Sequence, residues 1–215
     1  MKLASLHHLD IKEPIWHVQA SVLVAIVFQL LLSNKLIVGG RYLIVGLEVL
    51  LLLALAVFGP LKKRISFHLR RTLAVALIGI ISLSNISSLV LVIHSLLTQG
   101  GVTGRELIVS GLAIYLTNII IFGLWYWELD SDGVQGQPAS VQPIDFLFPQ
   151  MNMKEKNWNP TFFDYLYISV TNATAFSPTD TLPLTHRAKF LMTLQSITSL
   201  LTIALVAARA VNILS

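Results

Sequence analysis

Apolar side chains dominate five long segments of the chain, and polar ones gather between them. The segments cover residues 15–32, 42–58, 72–97, 106–127 and 184–213. Each comes close to, or exceeds, the roughly 20 residues that an α-helix needs to cross a bilayer. Their ends carry helix punctuation. Pro14 and Trp16 open the first segment as a first-turn proline and an interfacial aromatic, and Gly59-Pro60 closes the second. Gly100-Gly101 follows the third, and Trp125-Tyr126-Trp127 ends the fourth as an aromatic belt. The pattern predicts an all-α integral membrane protein with five transmembrane helices.

The stretch before the last segment behaves differently. Residues 158–186, WNPTFFDYLYISVTNATAFSPTDTLPLTH, are too rich in hydroxyl, amide and carboxyl groups to cross lipid as an ordinary helix. Lipid offers such groups no hydrogen bonds, so they must be buried in protein or line a cavity. Asn159-Pro160-Thr161 starts a short amphipathic helix that runs through Thr171, Asn172 and Thr174 and breaks near Phe176. Ser177-Pro178-Thr179-Asp180 then reads as a capping box, and Thr185 as the cap of the last helix. Helix, turn and long helix together predict a short re-entrant, pore-like element over 162–182. Three regions follow: a four-helix part at 1–127, a polar linker at 128–157, and the re-entrant element with the last helix at 158–215.

Composition strengthens the membrane reading. Of 215 residues, 54% are hydrophobic and 12% charged, about half the charged share of a soluble domain. Alternating the sides across five spans puts eleven Lys and Arg residues on one side, with Lys62, Lys63, Arg64, Arg70 and Arg71 in a single loop, and four on the other. The positive-inside rule makes the first side cytoplasmic. The expectation is therefore a multi-pass protein of the cell inner membrane, N-terminus cytoplasmic and C-terminus external. The basic excess suits anionic lipid head groups and gives no reason to expect nucleic acid. The N-terminus lacks the order of a cleaved signal peptide, so the first segment is read as a retained anchor. With no cysteine in the chain, disulfides and thiolate metal centres are excluded.

Polar residues inside the spans are costly in lipid, which makes each a functional candidate. Glu48 is the carboxylate well inside a span, read as a neutral group bonded to a neighbouring helix or as an ion site. The third segment carries Ser82, Ser84, Asn85, Ser87, Ser88, His94 and Ser95. These favour close helix packing, or a proton path through His94 and Glu48. In the fifth, Gln195, Ser199, Thr202 and Arg209 form a stripe about 21 Å long, interrupted by Val206. Such a stripe lines a pore or joins helices. Asp130-Ser131-Asp132-Gly133 resembles part of a calcium loop but lacks its other ligands and is read as a solvated turn. His7, His8 and His17 lack a fourth ligand for a metal. The glycosylation patterns at Asn85 and Asn172 lie at membrane depth and are expected to be unmodified. No nucleophile, phosphate-loop or zinc motif appears, so neither an enzyme nor a cofactor is expected.

From Asp164 to Arg187, with the helix that follows, the chain resembles the pore loop and inner helix of two-transmembrane potassium channels. Ser169-Val170-Thr171 matches the pore helix, Asp180 the acid after the filter, and Pro183 and Thr185 the residues before the inner helix. The filter Thr-Val-Gly-Tyr-Gly is replaced by Ala175-Phe176-Ser177-Pro178-Thr179. Potassium filters aim successive carbonyls at an axis, and Pro178 with no glycine between Thr171 and Thr185 rules that backbone out. The resemblance implies a side-chain-lined path for a monovalent cation or small solute in a homo-oligomer. Thr171, Asn172, Thr174, Ser177, Thr179 and Asp180 would lie along it, and Gln195, Ser199 and Thr202 on the inner helix. Ala175-Phe176-Ser177-Pro178-Thr179-Asp180 is also similar to a string in an uncharacterised family of bacterial multipass membrane proteins. The alternative expectation is a non-conducting membrane scaffold that binds a partner.

The charge asymmetry carries a direct prediction. A protease site or epitope placed within 128–157 is expected to be reachable only from the cytoplasmic face of sealed vesicles. Accessibility from the outside would reverse the assigned topology.

Overall fold

The computed structural model describes residues 16–58, 67–98, 101–135, 144–152, 158–174 and 180–214. Helices form where the apolar segments predict them: α1 (Trp16–Leu31), α2 (Arg41–Phe58), α3 (Phe67–Thr98), α4 (Gly104–Gln135) and, after the polar stretch, α7 (His186–Leu214). Between them lie a short α5 (Pro149–Asn152) and the amphipathic α6 (Phe162–Ala173). A 3₁₀ turn, Asn34–Leu36, joins α1 to α2, where Gly39 and Gly40 take positive φ. The only strands among the described residues are β1 (Phe146–Leu147) and β2 (Leu182–Pro183), paired antiparallel with Phe146 opposite Pro183.

Three helical stretches are long and apolar enough to cross a membrane: Arg71–Thr98, Gly104–Asp130 and His186–Val211. The apolar helices Trp16–Leu31 and Tyr42–Leu55 are shorter. Sixteen residues of α1 rise about 24 Å, against a hydrocarbon core of about 30 Å. The chain is thus mostly helical, with three helices that fit a membrane protein.

Helix α4 occupies the middle. Its apolar window is 61% buried, against 44% for that of α3 and 22% for that of α7, and it touches α1, α3, α6 and α7. One cluster joins Val22, Ala25 and Ile26 of α1 to Leu77, Ile78 and Ile81 of α3 and Ile121 and Leu124 of α4. Another gathers Phe122, Tyr126, Phe146, Phe148 and Tyr165, with edge-on rings at Tyr126–Phe146 and Phe148–Tyr165.

Two departures from the expected pattern share a cause. Helix α4 runs two turns past Trp127, so the linker expected from Glu128 begins as helix. Its aromatic end is also no lipid-facing belt. Tyr126 is fully buried, Trp125 Nε1 donates to Ser82 Oγ at 3.0 Å, and Trp127 meets Phe162 at right angles. With α3, α6 and α7 packed around α4, these rings gain partners that an isolated span would lack.

Helix α6 begins at a capping box, where the Asp164 carboxylate accepts from the Thr161 N–H at 2.7 Å and from its hydroxyl at 2.8 Å. Phe162, Tyr165, Ile168, Ser169 and Ala173 form its buried face, while Phe163 and Tyr167 point outward. Both α6 and α7 run antiparallel to α4. Gly123 faces Leu166, and Gly111 faces Val206. A Cβ at Gly123 would sit 3.2 Å from the Leu166 Cα, and one at Gly111 would run into the Val206 Cγ2. The valine that breaks the polar stripe of α7 is therefore the residue that fits over a glycine of α4.

Filling these contacts separates helices that touch. Gly111→Leu and Gly123→Val are each expected to destabilise the protein by about 1–3 kcal/mol, the usual cost of overpacking. Thermal unfolding in detergent checks this, with Gly79→Ala as a control at a helical glycine that has open space around it.

Candidate functional site

The polar residues of α4, α6 and α7 meet in one buried seam. Gln195 of α7 is completely buried. Its amide nitrogen donates to the Ser169 carbonyl at 2.9 Å and to Ser169 Oγ at 2.7 Å. Its carbonyl oxygen accepts from the Tyr126 hydroxyl at 2.5 Å and from Asn172 Nδ2 at 2.9 Å. Both donors and both lone pairs of the amide are thereby used.

The neighbours are tied down in turn. Ser169 Oγ donates to the Ile119 carbonyl at 2.6 Å. The second Asn172 hydrogen goes to the Met192 carbonyl at 2.9 Å, and its Oδ1 accepts from Ser196 Oγ at 3.1 Å. One turn further along α7, Asn118 Nδ2 donates to Ser199 Oγ at 2.9 Å and Thr198 Oγ1 at 3.1 Å. Thr202 returns its hydroxyl to the Thr198 carbonyl at 2.7 Å. One buried hydroxyl of α4, that of Thr117, has no partner among the described residues.

Other pore candidates behave as ordinary helix residues. Thr171 and Thr174 are half-buried and bond back to carbonyls of α6, Thr171 to Tyr167 and Ile168, Thr174 to Val170 and Thr171. Asp180 is exposed beside β2. Ser177 and Thr179 lie outside the described residues, as does the cap expected there. The cap at Thr185 is present, its Oγ1 accepting from the Ala188 N–H at 3.3 Å.

Asn85 reaches the Ile114 carbonyl at 3.3 Å and joins α3 to α4. Glu48 is buried against Gln29, which sequence reasoning passed over. His94 is exposed. It lies ten residues beyond Ser84, the α3 residue that bonds to Gln29, or about 15 Å along the helix.

A second polar node closes the end of the molecule where α4 finishes. Asp130, expected in a solvated turn, is buried and accepts from the Tyr165 hydroxyl at 2.6 Å and the Asp145 N–H at 2.8 Å. Asp145 is 1% exposed and faces Arg187, with Nε to Oδ1 at 2.8 Å and Nη2 to Oδ2 at 2.7 Å. The Thr185 hydroxyl also donates to Asp145. The node ties α4, the β1 end of the linker, α6 and the first turn of α7 together. Among the described residues, no group of three or more His, Cys, Asp or Glu gathers to hold a metal ion.

Compared with protein-family models, curated proteins and solved structures, the chain finds no match.

The end node makes an asymmetric prediction. Removing Arg187 leaves a carboxylate buried without its guanidinium, whereas removing Asp145 leaves an arginine whose side chain is 42% exposed and turns to water. Arg187→Ala is expected to cost about 3–5 kcal/mol, the range for breaking a buried pair. Asp145→Asn should cost about 1–3 kcal/mol, the range for a lost buried hydrogen bond. Chemical or thermal unfolding of the two variants measures the order.

Proposed function

We propose that the chain is a five-span membrane scaffold in which the segment around α6 is a re-entrant polar plug that conducts nothing. In this reading α1 and α2 complete the five spans, with the N-terminus cytoplasmic and the C-terminus external in the inner membrane. The observation that carries it is the Gln195 amide, buried at 0% exposure with every hydrogen-bonding position taken by Ser169, Asn172 and Tyr126. A pore-lining amide keeps positions free for water or an ion. This one spends all of them holding α7 to α6 and α4.

The re-entrant arrangement rests on helix direction and length. From the end of α4, α6 runs back along it until Ser169 meets Ile119. Twelve residues rise about 18 Å, little more than half of a hydrocarbon core about 30 Å thick. The chain then returns to the same end, where β2 pairs with β1 before α7 runs the full length. The likeness to a potassium-channel pore loop is one of outline. Of the groups expected along a path, Asn172, Gln195 and Ser199 bond across the helices, while Thr171, Thr174 and Thr202 bond back to carbonyls of their own helices.

The half-burial of Thr171 and Thr174 and the exposure of Asp180 favour a second reading, permeation of a monovalent cation or small solute through a homo-oligomer. Purified protein in liposomes separates the two. Sodium, potassium and small-solute flux is expected to match that of protein-free liposomes, and to stay unchanged in Asp180→Ala and Thr174→Val. Flux well above the blank that falls in both variants would establish the permeation reading instead.

A further inference from the structure

Away from the seam of α4, α6 and α7, three polar side chains converge where α1, α2 and α3 meet. Glu48 of α2 is 0% exposed, Gln29 of α1 is 4% exposed and Ser84 of α3 is 7% exposed. Gln29 Nε2 donates to Glu48 Oε1 at 3.1 Å, and Ser84 Oγ donates to Gln29 Oε1 at 3.4 Å. The other carboxyl oxygen, Glu48 Oε2, is buried with no hydrogen-bond partner among the described residues, and no basic side chain pairs with it there.

Neither protonation state satisfies this arrangement from within the chain. An ionised Glu48 is a buried charge without a counter-charge, which costs several kcal/mol even after relaxation. A protonated Glu48 removes the charge and can donate to the Gln29 oxygen once that amide turns over, but it leaves Oε2 a buried carbonyl with no donor. A single monovalent cation resolves both problems, because it cancels one negative charge and takes up the lone pairs of Oε2. A divalent ion would leave a net positive charge among apolar helices. The available donors are carboxylate, amide and hydroxyl oxygens, which suit hard cations and not thiophilic metals. Half a turn of the Gln29 amide brings its oxygen toward Glu48 and its nitrogen toward Ser84, whose hydroxyl accepts as readily as it donates.

We propose that Glu48 and Gln29, with Ser84 holding the Gln29 amide, form a buried binding site for one alkali cation where α1, α2 and α3 meet. Binding needs no pathway across the membrane, so the site is independent of whether α6 conducts. Because only the folded arrangement of these helices brings the ligands together, occupancy stabilises the folded protein by mass action.

Thermal unfolding of the full chain in detergent tests this in sodium, potassium and choline chlorides at equal ionic strength. Sodium is expected to raise the midpoint by about 2–8 °C over choline, the size of shift that a modestly bound ligand gives a chain of this length. Radioactive sodium should be retained at one ion per chain. Glu48→Gln keeps the shape and removes the charge, so it should abolish both effects. Ser84→Ala should weaken retention without abolishing it, and serves as the readout if Glu48→Gln does not accumulate. Equal midpoints in all three salts with no retained sodium would overturn the proposal, as would full retention in both variants.

Discussion

Lipid cannot hydrogen-bond, and the interior of this protein is arranged around that constraint. Gln195 shows it most clearly. An amide in the middle of a long apolar helix is tolerable only if neighbouring helices supply its four partners, and α4 and α6 do so through Tyr126, Ser169 and Asn172. That requirement sets the rotation of α7, the depth reached by α6 and the direction in which the Tyr126 ring points. Interhelical hydrogen bonds in membranes average only about 0.6 kcal/mol each. Their larger consequence is that another rotation of α7 would strand the same groups in apolar surroundings.

Close approach and polar pairing reinforce each other along α4. Gly111 and Gly123 let Val206 and Leu166 come against its backbone, and the hydrogen bonds of Asn118 and Ile119 lie between those two contacts. At the end of α4, the pairing of Asp145 with Arg187 and the two-residue ribbon of β1 and β2 hold both limbs of the hairpin containing α6. The same contacts fix the start of α7 beside the end of α4.

Much of this was legible beforehand, residue by residue. All five apolar segments became helices, the helix of the polar stretch began at Thr161, and Thr185 capped α7. The stripe of Gln195, Ser199 and Thr202 was visible as a stripe, though its periodicity alone suited a pore lining as well as a packing seam. Gln29 and Asn118 are amides inside apolar segments and met the same criterion that singled out Glu48. Scanning those segments for every amide would have found them. Asp130 and Asp145 were hidden by context, because a run of Asp, Ser and Gly with turn-forming Gln-Pro pairs reads as solvated until a tyrosine and an arginine from elsewhere cover it.

The sequence by itself determined which stretches are helical and that residues 158–186 could not lie bare in lipid; it predicted five spans, where three helices are long and apolar enough. Those outcomes follow from local periodicity and from transfer energies that accumulate along one segment. The tertiary structure decided which polar groups meet. It placed Val206 over Gly111, turned Trp125 and Tyr126 inward, buried Asp130, and set Glu48 beside Gln29 while leaving His94 about 15 Å along α3 from Ser84. A hydrogen bond depends on the mutual rotation and depth of two helices far apart in the chain. No window along one helix contains that information.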